Sequence, residues 1–255
     1  MCRHVGYLGP SRTVAEVLTE GPHSLLRQSW APADMRGGGT INADGFGVAW
    51  WPGGGETVAA YRNAAPIWTD PAVVGILTQV RSSGVVAAVR SATVGMPITA
   101  DACAPFTDGR WAFSHNGRID GWPESVAALA EWLPAVELLK MPALTDSALL
   151  WTLVRRRLGT SSPADALREV VAEVLEAAPT SRLNLLLCDG AGVWATAVDH
   201  ALSVRVDDVT AVVASEPIDD RDGWVTVPDG HAVEARPGHV AITELTTPTA
   251  YREGR

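Results

Sequence analysis

The chain has 255 residues, 47% of them hydrophobic and 19% charged, with a formal net charge of −9. That length supports a substantial core, as one large domain or two small ones. An acidic chain without a basic tract argues against nucleic-acid binding, and no run is apolar for long enough to span a bilayer. The first residues lack the apolar core of a secretory signal, so a cytoplasmic location is expected. The cysteines Cys2, Cys103 and Cys188 are scattered, with no CxxC or clustered Cys/His spacing. Neither a disulfide framework nor a structural zinc site is expected from them.

In chain order, short β-like runs come first: "HVGYLG", "FGVAWW", "TVAAYR", "GVVAAVR" and "RWAFSHN". They are rich in β-branched and aromatic residues and bounded by Gly, Asp or Pro. The Gly-rich "RGGG" and "PGGGE" between them lack the helix and lysine of a phosphate loop and read as turns. The middle changes period. "PESVAALAEWL" reads as a helix with Pro123 in its first turn. "TDSALLWTLVRRRL" starts with the cap candidates Thr145 and Asp146 and repeats Leu149, Leu150, Leu153 and Val154 at helical spacing. Its Arg155-Arg156-Arg157 run reads as a solvated helix end suited to the dipole. "SPADALREVVAEVLEAA" opens at Ser162-Pro163 and stops before Pro179. Strands then resume: "RLNLLLCD", "GVWATAVD", "LSVRV", "VTAVVAS", "GWVTVP" and "HVAITEL". Cys188, at the end of the first of these, reads as a buried strand cysteine. Strands, then helices, then strands predict an α+β fold of two mainly antiparallel sheets with helices outside, and disfavour a wound nucleotide-binding sheet.

Four places could carry chemistry. Cys2 directly follows Met1 and is small enough for that methionine to be trimmed, which would put a thiol and a free α-amino group on one residue. "SHNG" (Ser114–Gly117) ends a β-run. As a tetrapeptide it reads first as a turn, because Asn and Gly tolerate positive φ. The chemical alternative is a pair of oxyanion donors, the Asn116 amide and the Gly117 N–H. Arg90 ends another apolar run and either reaches solvent or pairs with an acid, for which its planar fork suits a carboxylate. Arg81, in the near-copy "QVRSSG", lacks the continuation that follows Arg90. Asp146 reads either as a cap or as an acceptor for an ammonium group. His4, His23, His200, His231 and His239 receive no role.

Their order along the chain adds specificity. Cys2, Arg90 in R-S-A-T-x-G, Pro105-Phe106, Ser114-His115-Asn116-Gly117 and Thr145-Asp146-Ser147 together resemble the N-terminal-nucleophile glutaminase domain of class II glutamine amidotransferases. "NADGFGVAWW" (42–51) and "VASEP" (213–217) are similar to that family as well. The resemblance implies a four-layer αββα sandwich and a single glutaminase-type domain over residues 1–255. It implies Cys2 as nucleophile with its α-amine as base, and Asn116 and Gly117 as the oxyanion hole. Arg90 would bind an α-carboxylate and Asp146 an α-amino group, with Ser91, Thr93 and His115 completing the substrate site. Many relatives have His-Pro-Phe where this chain has Ala104-Pro105-Phe106, so no histidine acts there. The resemblance calls for a small-molecule γ-glutamyl substrate, no metal or organic cofactor, and neither a nucleic-acid nor a membrane partner.

Within the family, "MCRHVGYLGP", "PHSLLRQSWAP" and "NADGFGVAWW" are similar to the amidohydrolases of ergothioneine biosynthesis, which release glutamate from γ-glutamyl-hercynylcysteine sulfoxide. Hercynine carries a trimethylammonium group, which aromatic faces bind, and the chain has 10 Trp against 3 Phe and 3 Tyr. Trp30, Trp50 and Trp51 are therefore candidates for a leaving-group pocket, against the plainer reading that they pack. Two rivals fit the same residues: another stand-alone γ-glutamyl hydrolase, and a glutaminase subunit supplying ammonia to a partner. The intact set of Cys2, Arg90, Asn116, Gly117 and Asp146 counts against a third, a non-catalytic γ-glutamyl-binding protein.

Overall fold

The computed structural model describes residues 2–34 and 41–246. Met1 and the "RGGG" segment at 36–39 lie outside the described residues. The elements in chain order are β1 (Arg3–Thr13), α1 (Val14–Thr19), α2 (Leu25–Gln28), β2 (Phe46–Trp50), β3 (Ala59–Asn63), α3 (Pro71–Val74) and β4 (Arg81–Val89). Next come β5 (Phe106–Asp108), β6 (Trp111–Arg118), α4 (Ala127–Glu131), α5 (Ala135–Leu139), α6 (Asp146–Arg157) and α7 (Pro163–Ala177). The chain then forms β7 (Arg182–Cys188), β8 (Val193–Ala197), β9 (Ser203–Val206), β10 (Ala211–Ala214), β11 (Val225–Thr226), β12 (His231–Arg236) and β13 (His239–Glu244).

One sheet has the order β11-β9-β10-β1-β4-β2-β3 and the other β13-β12-β8-β7-β6-β5. Every strand pair is antiparallel. The period-two alternation of each strand sorts side chains to two faces. Val5 and Tyr7 of β1 pack outward with α1 and with Val85, Ala87 and Val89 of β4. Leu8 packs inward with Leu186 and Cys188 of β7 and Ala112 of β6. On the far side Phe113, Leu183, Leu185 and Leu187 meet Leu149, Leu150 and Leu153 of α6 and Leu167, Val170 and Val174 of α7. These three apolar clusters are the seams of a four-layer αββα sandwich, as expected.

Local signals explain the helix limits. Ser162 caps α7 by accepting the Asp165 N–H, and Pro163 takes a first-turn position where its missing N–H costs nothing. Thr145, not Asp146, caps α6. The helix expected over 123–133 is broken: a 3₁₀ turn at Glu124–Val126 precedes α4, and Val126 (φ −115°, ψ 11°) is non-helical. The arginine run at the end of α6 is not simply solvated. Arg155 pairs with Asp108 and Glu137, and Arg157 with Glu169 and Glu173. "PGGGE" is a turn, as its composition predicts. Helix α1 has a legible signal that the hydrophobic periods of so short a segment hide. Thr13 and Glu16 form a reciprocal capping box.

Candidate active site

Antiparallel pairing gathers distant segments at one end of the sandwich. Arg3 at the start of β1 pairs with Val89 at the end of β4, so Cys2 and Arg90 come next on each strand. Val5 pairs with Ala214 at the end of β10, which places Ser215 and Glu216 beside the same start of β1. From the second sheet, β6 brings Asn116 and Gly117, and α6 begins nearby with Asp146.

Cys2 is partly exposed and its thiol is free. The Sγ lies 3.9 Å from the Ser91 carbonyl oxygen, a weak contact for sulfur. The other two thiols are buried. Burial pushes Cys103 up to about 11, and it pushes Cys188, which is fully buried as expected, well above the ordinary thiol range. Arg3 is buried next to Cys2; its Nη2 donates to the Asp34 carbonyl and its Nη1 lies 3.3 Å from His200 Nε2. Burial lowers the Arg3 pKa, opposed by nearby Glu216, Asp34 and Cys2. The buried Glu216 carboxylate accepts the Ala33 and Asp34 N–H groups.

Arg90 is 8% exposed, and its Nη1 donates to Pro97 O at 2.9 Å. The strand that precedes it therefore hands over to a loop folded back on the guanidinium. Asp44 Oδ2 holds this loop by accepting the Ala92 N–H at 2.7 Å. Gly45 (φ +113°) is required beside it, because a Cβ there would lie 2.4 Å from Cys103 Sγ. Arg81, by contrast, is exposed at the start of β4 and donates to Ser11 O.

"SHNG" is not a turn. Strand pairing runs straight through it, with Asn116 opposite Asn184, Gly117 opposite Leu183 and Arg118 opposite Arg182. Positive-φ tolerance is a permission, and the ladder with β7 decides otherwise. Alternation along β6 turns Ser114 and Asn116 toward the other sheet and His115 away from it. Asn116 is fully buried; its Nδ2 donates to Ser215 Oγ at 3.0 Å, and its Oδ1 has no partner among the described residues. His115 faces the helix layer instead. Its Nδ1 is 3.0 Å from Ser147 Oγ and its Nε2 2.9 Å from Arg182 O, so both ring nitrogens are engaged in pinning α6 to the sheet. Gly117 is required by packing, since a Cβ would lie 1.9 Å from Arg182 O.

Asp146 is 6% exposed. Its Oδ2 accepts the Ile119 N–H at 3.0 Å and its Oδ1 the Ser147 N–H at 2.7 Å. These bonds tie the first turn of α6 to the chain just after Gly117. Asp146 lines a cavity of about 350 Å³ together with Thr93, Met96, Ile119 and Trp122. Thr93 is exposed on the turn that Met96 closes with a 2.9 Å bond to Thr93 O. The candidate tryptophans are not there. Trp51 is buried between the sheets and its Nε1 donates to Arg110 O. Trp50 packs on the outer face of the first sheet. Trp30 stands edge-on to Trp68, with Arg27 over its ring. The aromatic at the cavity is Trp122, six residues past Asn116.

The family model described as glutamine amidotransferases class-II matches residues 24–206. The chain belongs to the class-II glutamine amidotransferases. The matched span holds Arg90, Asn116, Gly117 and Asp146, while Cys2 precedes it. Among members of this family, the class-II amidotransferase chain is 39% identical over 245 residues to a Mycolicibacterium smegmatis protein named gamma-glutamyl-hercynylcysteine sulfoxide hydrolase, covering 96% of this chain and 100% of that one. A Mycobacterium tuberculosis protein of the same name is 39% identical over 247 residues, covering 96% and 97%. Two solved structures share the fold. A glutamine aminotransferase class-II domain protein from Silicibacter pomeroyi has a TM-score of 0.68 at 21% identity, with 96% of this chain and 99% of that one covered. The glutamine phosphoribosylpyrophosphate amidotransferase of B. subtilis has a TM-score of 0.66 at 17% identity, with 96% and 50% covered.

Proposed function

We propose that this class-II amidotransferase is a γ-glutamyl amidohydrolase acting in the cytoplasm on γ-glutamyl-hercynylcysteine sulfoxide, the compound named for its 39%-identical relatives. One observation carries the reading: Cys2, Arg90, Asn116 and Asp146, far apart in sequence, converge at one end of the two sheets.

In this reading Met1 is removed and the Cys2 α-amine takes the thiol proton, directly or through water. The thiolate attacks the γ-carbonyl carbon, and the developing oxyanion accepts the second Nδ2 hydrogen of Asn116 and the Gly117 N–H. The C–N bond breaks, the departing amine takes the proton, and a γ-glutamyl thioester remains on Cys2. Water cleaves it, releasing glutamate and restoring the thiol. Arg90 has four guanidinium donors besides the one on Pro97 O and binds the α-carboxylate. Asp146 binds the α-ammonium, with Ser91 and Thr93 lining the same site. His115 acts behind Asp146 rather than on substrate, because its ring nitrogens hold Ser147 and Arg182 O. The reaction calls for no metal or organic cofactor.

The test is glutamate release by untagged protein from the sulfoxide and from glutamine under identical conditions. The expected outcome is strong preference for the sulfoxide, abolished in Cys2→Ala with the fold intact. Preference for glutamine would move the function to ammonia supply, and full activity of Cys2→Ala would end the thioester mechanism.

A further inference from the structure

Asn116 has a side-chain amide that must lie in one plane to aim its second N–H at a reacting carbonyl. The Asn χ2 torsion is broad and does not fix that plane by itself. Packing holds the side chain in place, since Asn116 is fully buried. Among the described residues its Oδ1 has no partner, and the Nδ2 bond to Ser215 Oγ is the one hydrogen bond of the side chain. A fully buried amide held at one corner is therefore oriented by that corner.

Ser215 is itself rigidly placed. It is 1% exposed and stands directly after β10. Its N–H donates to His4 O at 3.0 Å, and its Oγ accepts the His4 N–H at 3.0 Å. His4, in β1, is two residues past Cys2, which directly precedes that strand. The Ser215 hydroxyl thus joins the strand that follows the thiol, in one sheet, to the amide of Asn116, in the other. The two N–H donors, from His4 and from Asn116, fill both lone pairs of Oγ, so that oxygen can turn toward neither a third donor nor solvent.

We propose that Ser215 is a positioning residue for catalysis, fixing the Asn116 amide relative to Cys2 through this shared hydroxyl. The inference rests on the oxyanion role of Asn116 in the proposed function. Ser215 touches neither the substrate nor the reacting atoms; it acts through Asn116. Its contribution is to kcat, because an amide turned away from the oxyanion weakens binding of the transition state and not of the ground state. A side chain displaced by about 1 Å at such a site is enough for a loss of about 10²-fold.

The experiment measures kcat, KM and thermal midpoint for Asn116→Ala, Ser215→Ala, Ser215→Thr and the double alanine variant. The substrate is whichever of the sulfoxide and glutamine the untagged wild type hydrolyses. Ser215→Ala is expected to lower kcat by about 10- to 10²-fold with KM nearly unchanged. Ser215→Thr, which keeps the hydroxyl, is expected to recover most of the rate. In the Asn116→Ala background the Ser215 substitution is expected to change kcat by less than about twofold, as for two residues acting through one contact. Should Ser215→Ala fail to fold, Ser215→Cys keeps a side chain of similar shape with a much weaker acceptor and reads the same split. Equal losses in both backgrounds would mark Ser215 as merely structural and overturn the inference, as would wild-type kcat in a folded Ser215→Ala. Wild-type kcat in Asn116→Ala, or no turnover by the wild type, would instead sink the proposed mechanism and the inference with it.

Discussion

His4 and Ser114 face each other across the space between the sheets, with His4 Nδ1 3.3 Å from Ser114 Oγ. The ring is fully buried, and its Nε2 has no partner among the described residues. Burial, then the neighbouring His115, His200 and Arg3, lower its pKa from 6.5 to about 3. His4 is therefore neutral in the folded protein at every pH where the enzyme is expected to work, and it takes no part as an acid. The unfolded chain protonates this histidine below about 6.5 while the folded chain does not until about 3. Stability is thus full above 6.5 and is lost as pH falls through that window, by at most about 1.4 kcal/mol per pH unit from this one group. Urea unfolding at pH 7.5, 6 and 5 should show this slope in the wild type. His4→Gln should show a shallower one; identical slopes would mean that the ring is not held neutral.

Single elements set where the site residues point. Helix α6 begins at Asp146 because Thr145, one residue earlier, accepts the Ala148 N–H at 3.2 Å. That cap fixes the first turn, and the first turn presents Asp146 to the Ile119 N–H. Thr145→Ala is expected to cost about 1 kcal/mol of stability, read as a lower urea midpoint. An unchanged midpoint would mean that other contacts fix the helix start. In β6 the alternation of a strand separates Asn116 from His115, although the two are adjacent in "SHNG". The turn-forming composition of the tetrapeptide hides this, since a turn carries no such alternation. The cap was legible as Thr145-Asp146, but which of the two caps and which faces the cavity is a matter of helix phase.

Across the whole molecule, the site depends on two sheets held at a fixed spacing. Leu186 of β7 is fully buried in the seam between them, and a Cβ built on Gly6 of β1 would lie 3.4 Å from its methyls. The glycine and the leucine interlock across the gap close to His4 and Cys2. Leu186→Ala leaves a cavity there and is expected to cost about 2–5 kcal/mol. The urea midpoint should fall while the m-value stays constant; a constant midpoint would show that the sheets close up without cost.

The sequence by itself determined two antiparallel sheets with helices outside, most of the strands and both long helices, and it named the residues expected in the candidate site. These follow from local period, from capping residues, and from the order of short motifs along the chain. It also disfavoured a wound nucleotide-binding sheet, because strands and helices follow in blocks instead of alternating. The sequence did not show β5, only three residues long, or β12, whose "HAVEAR" mixes charge into its alternation, nor the short helices α1 to α3 and α5, too brief to display a period. Tertiary structure alone decided which tryptophan stands at the cavity, that His115 turns to Ser147, and that Ser215 reaches Asn116. Each of these depends on contacts between segments up to about a hundred residues apart, as Asn116 and Ser215 are. The face a side chain presents is set by strand pairing with a distant partner, and a local pattern carries no information about that partner.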